Sequence, residues 1–459
     1  MRRALALALV AVVLTPAAGR ADPPRLPFTK YTLPNGLTVI LSEDHRLPLV
    51  AVNVWYHVGP VQEKKGRTGF AHLFEHMMFQ GSKHVDKQLV VLESTGATTI
   101  NGTTDFDRTN YFETMPANQL ETALWLESDR MGFLVDGLTP AKLDNQRAVV
   151  QNERRQSIEN VPYGLADERM TQLLFPEGHP YHGNVIGSHQ DLEAVKFNDV
   201  VEFFRNYYTP SNASLAIVGD FDPARAKALV AKYFGSLPPG PPVPRPKMIP
   251  NAITKEKRAE MTDRVQLSRI FMGWLSPPIY QPGDAEADLL AKVLGGGRSS
   301  RLYQRLVYEK KIAQDVQTYQ YSLILGSVFA VVVTAKPGQS LATIEREIDA
   351  ILDEVRRQPI TDGELARAKR TYEAGFLRGL ERLCGFGGKA DRLNSYEHFL
   401  GDPGFLDRDL ARYRNATAAG LQQFARDYLS KNKRVVVLVT PRVDTPAKPA
   451  AAKAAGGAK

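Results

Sequence analysis

Five prolines fall within seven residues, at Pro238, Pro239, Pro241, Pro242 and Pro244, and Pro246 follows. Proline fixes φ and has no amide hydrogen, so this run can continue neither a helix nor a central strand. It divides the 459-residue chain into two parts, and residues 237–258 are expected to form an extended linker between domains. The two parts follow similar plans. In the first, apolar runs predict strands at 37–42, 49–56 and 213–220, with helical patterns at 69–80, 117–134, 140–159, 200–207 and 223–234. In the second, strands are expected at 265–274, 314–321, 327–333 and 434–441, and helices at 285–294, 300–309, 341–356 and 361–380. Each part closes on an uninterrupted apolar strand. The pattern predicts an α+β fold of two related domains, residues 27–236 and 259–442.

The two ends read differently from the body. Residues 1–21 run from Arg2 and Arg3 through an apolar stretch to small residues at Ala18, Gly19 and Ala21. That order is expected of a secretory signal peptide cleaved near Ala21, and the stretch is too short for an ordinary membrane span. The expectation is a periplasmic or secreted protein without stable membrane insertion. Residues 444–459 are mostly Ala, Lys, Pro and Gly and are expected to be a disordered tail. The formal charge is +8. The leader holds three arginines and no acid, and the tail three lysines against one aspartate, so the body is close to neutral. No clustered basic stripe remains, and nucleic acid is not an expected partner. A single cysteine, Cys384, excludes an internal disulfide framework and a zinc site of several thiolates; it reads as a packed thiol.

The chemistry is concentrated in Gly69-Phe70-Ala71-His72-Leu73-Phe74-Glu75-His76-Met77-Met78-Phe79-Gln80-Gly81. Residues i and i+4 share a helix face, so His72 and His76 can point at one ion. Glu75 lies on the flank of that face, where a carboxylate can reach a metal-bound water without being a ligand. Catalytic zinc takes three protein ligands and keeps one position open. The third must come from elsewhere, and Asp144, Glu153 and Glu159 on the predicted helix 140–159 are all candidates that spacing does not separate.

His72-x-x-Glu75-His76, followed at a distance by Glu153, resembles the pitrilysin-like (M16) zinc metallopeptidase family. Leu33-Pro34-Asn35-Gly36-Leu37, Asn101-Gly102-Thr103-Thr104-Asp105 and Gly295-Gly296-Gly297-Arg298-Ser299-Ser300-Arg301-Leu302 support the resemblance, which spans residues 27–442. It implies two homologous M16-type domains, each a mixed, mostly antiparallel sheet flanked by helices. It implies His72, His76 and Glu153 as ligands of one Zn2+ per chain, with Glu75 as the general base of peptide-bond hydrolysis. It also implies that the strand around Thr98–Thr103 is an exposed edge that pairs with peptide substrates through Thr99, Asn101 and Gly102.

Two departures from the family pattern qualify the expectation. Gln146 stands where a second glutamate is frequent, seven residues before Glu153; it supplies an amide but no charge near the ligands. Val307 and Gln314 stand where active single-chain members place an Arg and a Tyr that hold the substrate carbonyl. Loss of such a donor costs about 10²–10³ in rate. The chain is therefore expected to be the zinc-bearing subunit of a pair whose second M16-type subunit supplies the Arg/Tyr pair. The alternative is a catalytically weak or inactive scaffold subunit.

Overall fold

A computed structural model describes residues 25–442; the expected leader at 1–21 and tail at 444–459 lie outside the described residues. Two sheets organise the molecule. The first contains β1 (Thr29–Thr32), β2 (Thr38–Glu43), β3 (Leu49–Tyr56), β4 (Thr98–Asp105), β5 (Arg108–Pro116) and β6 (Ala213–Gly219), in the order β1-β2-β6-β3-β5-β4. The second contains β7 (Lys257–Asp263), β8 (Arg269–Ser276), β9 (Ala313–Tyr321), β10 (Ser327–Ala335) and β11 (Arg434–Pro441), in the order β7-β11-β8-β10-β9. With β1 set aside the two orders are the same. In both, the first and last strands pair in parallel, β2 with β6 and β7 with β11, and every other neighbour is antiparallel. The repeat expected from the sequence is present as a repeat of topology.

Alternate side chains of a strand point to opposite faces, and here both faces are covered. On β6, Leu215 and Ile217 enter the main N-terminal core while Ala216 and Val218 enter a second cluster on the other face. The helix that covers this second face comes from the other half of the chain. Helix Lys389–Leu400 places Ala390 and Leu393 against Ile40, Ala51, Phe112, Ala216 and Val218, and Asn394 donates to the buried Asn53 carbonyl at 2.8 Å. The exchange is reciprocal. Helix Gly164–Leu174, from the first half, buries Ala166, Met170 and Leu174 against Phe271, Val435 and Val437 of the second sheet. Gly273 makes room for it, since a Cβ there would lie 2.8 Å from Met170 Sδ.

Some boundaries depart from the sequence expectation. The proline run has no helix or strand, but β7 begins at Lys257, inside the expected linker 237–258. Its sequence KRAEMTD alternates half-buried and exposed residues and holds too little apolar character to announce a strand. The next strand starts at Arg269, four residues later than the expected start at 265. The helix expected over 140–159 is α-helical to Arg154 and widens to a π-helix over Arg155–Glu159; the same widening occurs at Tyr303–Glu309. Among the described residues no helix is long and apolar enough to cross a membrane.

Candidate metal centre

Helix Phe70–Met77 starts after Gly69, whose φ is +85°. A Cβ there would lie 2.4 Å from the Ile186 carbonyl oxygen, so the close approach requires glycine. Glycine offers no side-chain cap, and the first-turn amides still need acceptors. Glu63 provides them from outside the helix: its carboxylate accepts from the Gly69 amide at 3.0 Å and the Ala71 amide at 2.8 Å. Burial pushes the Glu63 carboxyl up to about 8, and the first-turn amides that it caps oppose that rise. Leu73, Phe74 and Met77 anchor the helix in the core.

His72 and His76 emerge on one side, with ring centroids 4.9 Å apart. Helix Pro140–Arg154, started by Pro140 and the Thr139 hydroxyl, brings Glu153 to them. Glu153 Oε2 lies 3.0 Å from His76 Nε2, and Oε1 lies 3.7 Å from His72 Nε2. Ligand atoms of the three residues all fall within 4.8 Å of one another. The other two candidate acids are engaged elsewhere: Asp144 pairs with Arg147 at 2.7 Å, and Glu159 with Arg154 at 3.0 Å and His189 at 2.9 Å. Arg154, adjacent to Glu153, also binds Glu168 at 2.8 Å and the Gly187 carbonyl at 2.8 Å, which fixes the end of the ligand helix.

The electrostatics suit a cation. Burial pushes His72 down to about 4, which keeps its imidazole neutral, the form that ligates. The hydrogen bond with His76 holds Glu153 below its usual range despite burial. His72 Nδ1 is buried without a hydrogen-bond partner. Two imidazole nitrogens and one carboxylate oxygen form a donor set that suits catalytic zinc.

Glu75 lies beside this group, and burial raises its pKa. The Thr104 hydroxyl donates to Glu75 Oε2 at 2.7 Å and opposes that rise. Thr104 belongs to β4, which is the last strand of its sheet and, among the described residues, pairs only with β5. A Cβ on Gly102 would lie 3.0 Å from Glu75 Cγ and 2.9 Å from Phe79 Cε2, so the bare backbone of β4 lies against the glutamate. Thr99 and Asn101 are exposed on the same strand; a bulge separates Thr98 from Asn101, and Thr99 takes a φ of +55°. A groove of about 370 Å³ opens at the cluster, lined by His72, Thr104, Phe106, Glu153, Asp167 and Glu168 among others.

The remaining sequence candidates are placed as follows. Gln146 is buried on the ligand helix, two turns before Glu153. Val307 packs on the C-terminal core, and Gln314 is exposed on β9. Sequence reasoning passed over the contacts of Thr104 and Glu63, and also Tyr321 of β9, which reaches the N-terminal domain. Tyr321 donates to Asp105, at the end of β4, and Tyr319 of the same strand lies near Asp167 in the groove wall. The usable signal for Glu63 was the absence of any capping side chain at Gly69.

The chain is similar to known proteins over both of its halves. Residues 38–174 match the family model described as Insulinase (Peptidase family M16), and residues 194–372 match that of the Peptidase M16 inactive domain. The zinc protease PqqE of Helicobacter pylori is 29% identical over 392 residues, covering 83% of this chain and 86% of that protein. The crystal structure of a protease from Helicobacter pylori superposes with a TM-score of 0.84 at 27% identity, over 91% of this chain and 100% of that one. A Pseudomonas fluorescens structure described as a peptidase M16 inactive domain has the same fold, with a TM-score of 0.81 at 18% identity over 91% of this chain and 99% of its own.

Proposed function

The chain belongs to the M16 peptidase family, and from that premise we propose that it is a zinc-dependent endopeptidase subunit that hydrolyses extended or unfolded peptides. The observation that supports this reading is the convergence of His72, His76 and Glu153 next to a buried Glu75 held by Thr104. His72, His76 and Glu153 would hold one zinc ion per chain. When bound, zinc supplies Lewis acidity for the scissile carbonyl and lowers the pKa of a coordinated water.

The chain's own groups do the rest. Glu75 accepts the proton of the attacking water at its carboxylate and returns it to the leaving amine. Its partial burial keeps the basicity high, and the Thr104 hydroxyl orients the oxygen that carries the proton. The unpaired edge of β4 runs beside Glu75 at Gly102. A peptide that adds there as a further strand is held through its backbone, so many sequences are accepted. This is the role we assign to Thr99, Asn101 and Gly102.

The clamp on the substrate carbonyl is the part this chain lacks. Val307 has no donor and packs into the C-terminal core, and Gln314 offers only a neutral amide. We assign the missing Arg/Tyr pair to a second M16-type subunit and place the pair in the periplasm or outside the cell, in keeping with the signal sequence expected at 1–21. The same two residues favour a second reading, a weak or inactive scaffold.

One experiment separates these readings. The mature chain is loaded with zinc and tested on quenched fluorescent peptides, alone and with a candidate partner, beside Glu75→Gln. The proposal expects about one zinc per chain in both proteins and a loss of about 10²–10⁴ in cleavage rate for the variant. Equal rates for parent and variant would overturn it. Zinc binding without turnover, with or without the partner, would leave the scaffold.

A further inference from the structure

The proposed edge pairing has a consequence for specificity. A strand added beside β4 would send alternate side chains to the two faces of the sheet. One face is the catalytic side, where Gly102 abuts Glu75, Phe79 and Tyr111. The other begins at Asn101, which stands opposite Phe112 in the register. Phe112 packs with Cys384, Ala390 and Leu393 of the C-terminal half.

The loop that joins Cys384 to helix Lys389–Leu400 closes over this second face. A Cβ on Gly385 would lie 3.7 Å from Thr99 Cγ2, in contact with β4. The next residue, Phe386, is 59% exposed, and its ring stands edge-on to Phe112 with centroids 6.3 Å apart. Three hydrogen bonds hold the turn that displays it. The Gly388 amide donates to the Gly385 carbonyl at 2.8 Å, the Gly387 amide to Asp391 at 2.7 Å, and Arg382 to the Phe386 carbonyl at 2.5 Å. Gly385 and Gly387 flank the phenylalanine with φ of +81° and +69°, values that favour glycine. Cys384, immediately before, is buried. A single exposed phenylalanine is ordinary on a protein surface. One held on a hydrogen-bonded turn, whose preceding Gly385 touches the edge strand of a candidate active site, can serve as a wall.

We infer that Phe386 walls an apolar subsite that selects one side chain of the bound peptide, on the sheet face opposite the metal. Gly385 touches β4 at Thr99, beside the bulge and three residues before Gly102, so the selected side chain lies a few residues from the bond to be cut. The favoured side chain is aromatic or large aliphatic. The inference rests on the edge-pairing reading above and deepens it.

The test is binding by the zinc-loaded full chain carrying Glu75→Gln, so that turnover does not consume the probe. Fluorescent eight-residue peptides are varied one position at a time among Ala, Leu, Phe, Lys and Asp. One position is expected to favour Phe or Leu over Ala by about tenfold. Adding Phe386→Ala reduces that ratio to about one without weakening the Ala peptide, and Phe386→Leu retains part of it. An unchanged ratio in Phe386→Ala overturns the subsite and leaves the peptidase reading intact. No binding to any of these proteins, together with no cleavage by the wild type, overturns both.

Discussion

Thr104 decides how basic Glu75 can be. Its hydroxyl stabilises the charged carboxylate, while burial favours the neutral acid. Thr104→Val keeps the shape and removes the donor. The Glu75 pKa should then rise, so a larger fraction is protonated and idle at any pH near it. The acid limb of kcat/KM should move up by about one pH unit, because a hydrogen bond to a charged group is worth about 1.5–3 kcal/mol and one unit about 1.4 kcal/mol. Thr104→Ser should restore the limb, and zinc content should stay constant in both variants. A pH–rate profile identical to wild type would remove Thr104 from the mechanism. The residues at this scale were unequally legible. His72, Glu75 and His76 sit within one helical turn and a bit, so local spacing reveals them. Glu153 needed the family pattern, because only tertiary packing separates it from Asp144 and Glu159. Thr104 is 29 residues from Glu75, and only the pairing of β4 with the sheet brings the two together.

At the scale of elements, helix Phe70–Met77 depends on a residue outside itself, in the loop before it. Its own sequence supplies no N-terminal cap, and Glu63 takes the amides of Gly69 and Ala71. Replacing Glu63 with Ala leaves those amides buried without partners, which costs about 1–3 kcal/mol. The helix start should then fray, and zinc affinity should fall by about 10–100-fold, the usual penalty for losing support around a ligand. Competition with a zinc chelator measures the affinity, and thermal unfolding of the zinc-free protein measures the stability. If both values match the wild type, the cap has no role. Element legibility followed apolar continuity. Leu49–Tyr56, Ala213–Gly219 and Arg434–Pro441 are nearly unbroken apolar runs and read as strands, because sheets covered on both faces demand such runs. Arg108–Pro116 is equally central but buries Asn110 and Glu113, and these polar residues mask it. Helix Gly164–Leu174 exposes Leu165 and buries Ala166, Met170 and Leu174. Its apolar stripe faces the other domain's sheet, a partner that one-dimensional reading does not supply.

At the scale of the whole molecule, the exchanged helices make two similar domains into one folding unit. The N-terminal half carries the proposed metal ligands, but the second face of its sheet is covered by Ala390 and Leu393 from the other half. Its own Gly164–Leu174 helix is likewise built for the C-terminal sheet. That helix carries Glu168, which pairs with Arg154, so its loss reaches the end of helix Pro140–Arg154. Residues 25–236 expressed alone should therefore expose Ile40, Ala51, Phe112, Ala216 and Val218 as an apolar patch and aggregate or remain molten. Coexpression with residues 237–442 should restore a compact pair that binds zinc. In the intact chain, Leu393→Ala removes a fully buried side chain from the seam and should cost about 2–5 kcal/mol. Size-exclusion chromatography, near-UV circular dichroism and zinc analysis test the halves, and denaturant unfolding tests the point variant. A monomeric N-terminal half that unfolds cooperatively and holds one zinc would show that the exchange is decoration. The expected result makes the proposed metal site a property of both domains, although each of its three proposed ligands comes from one of them.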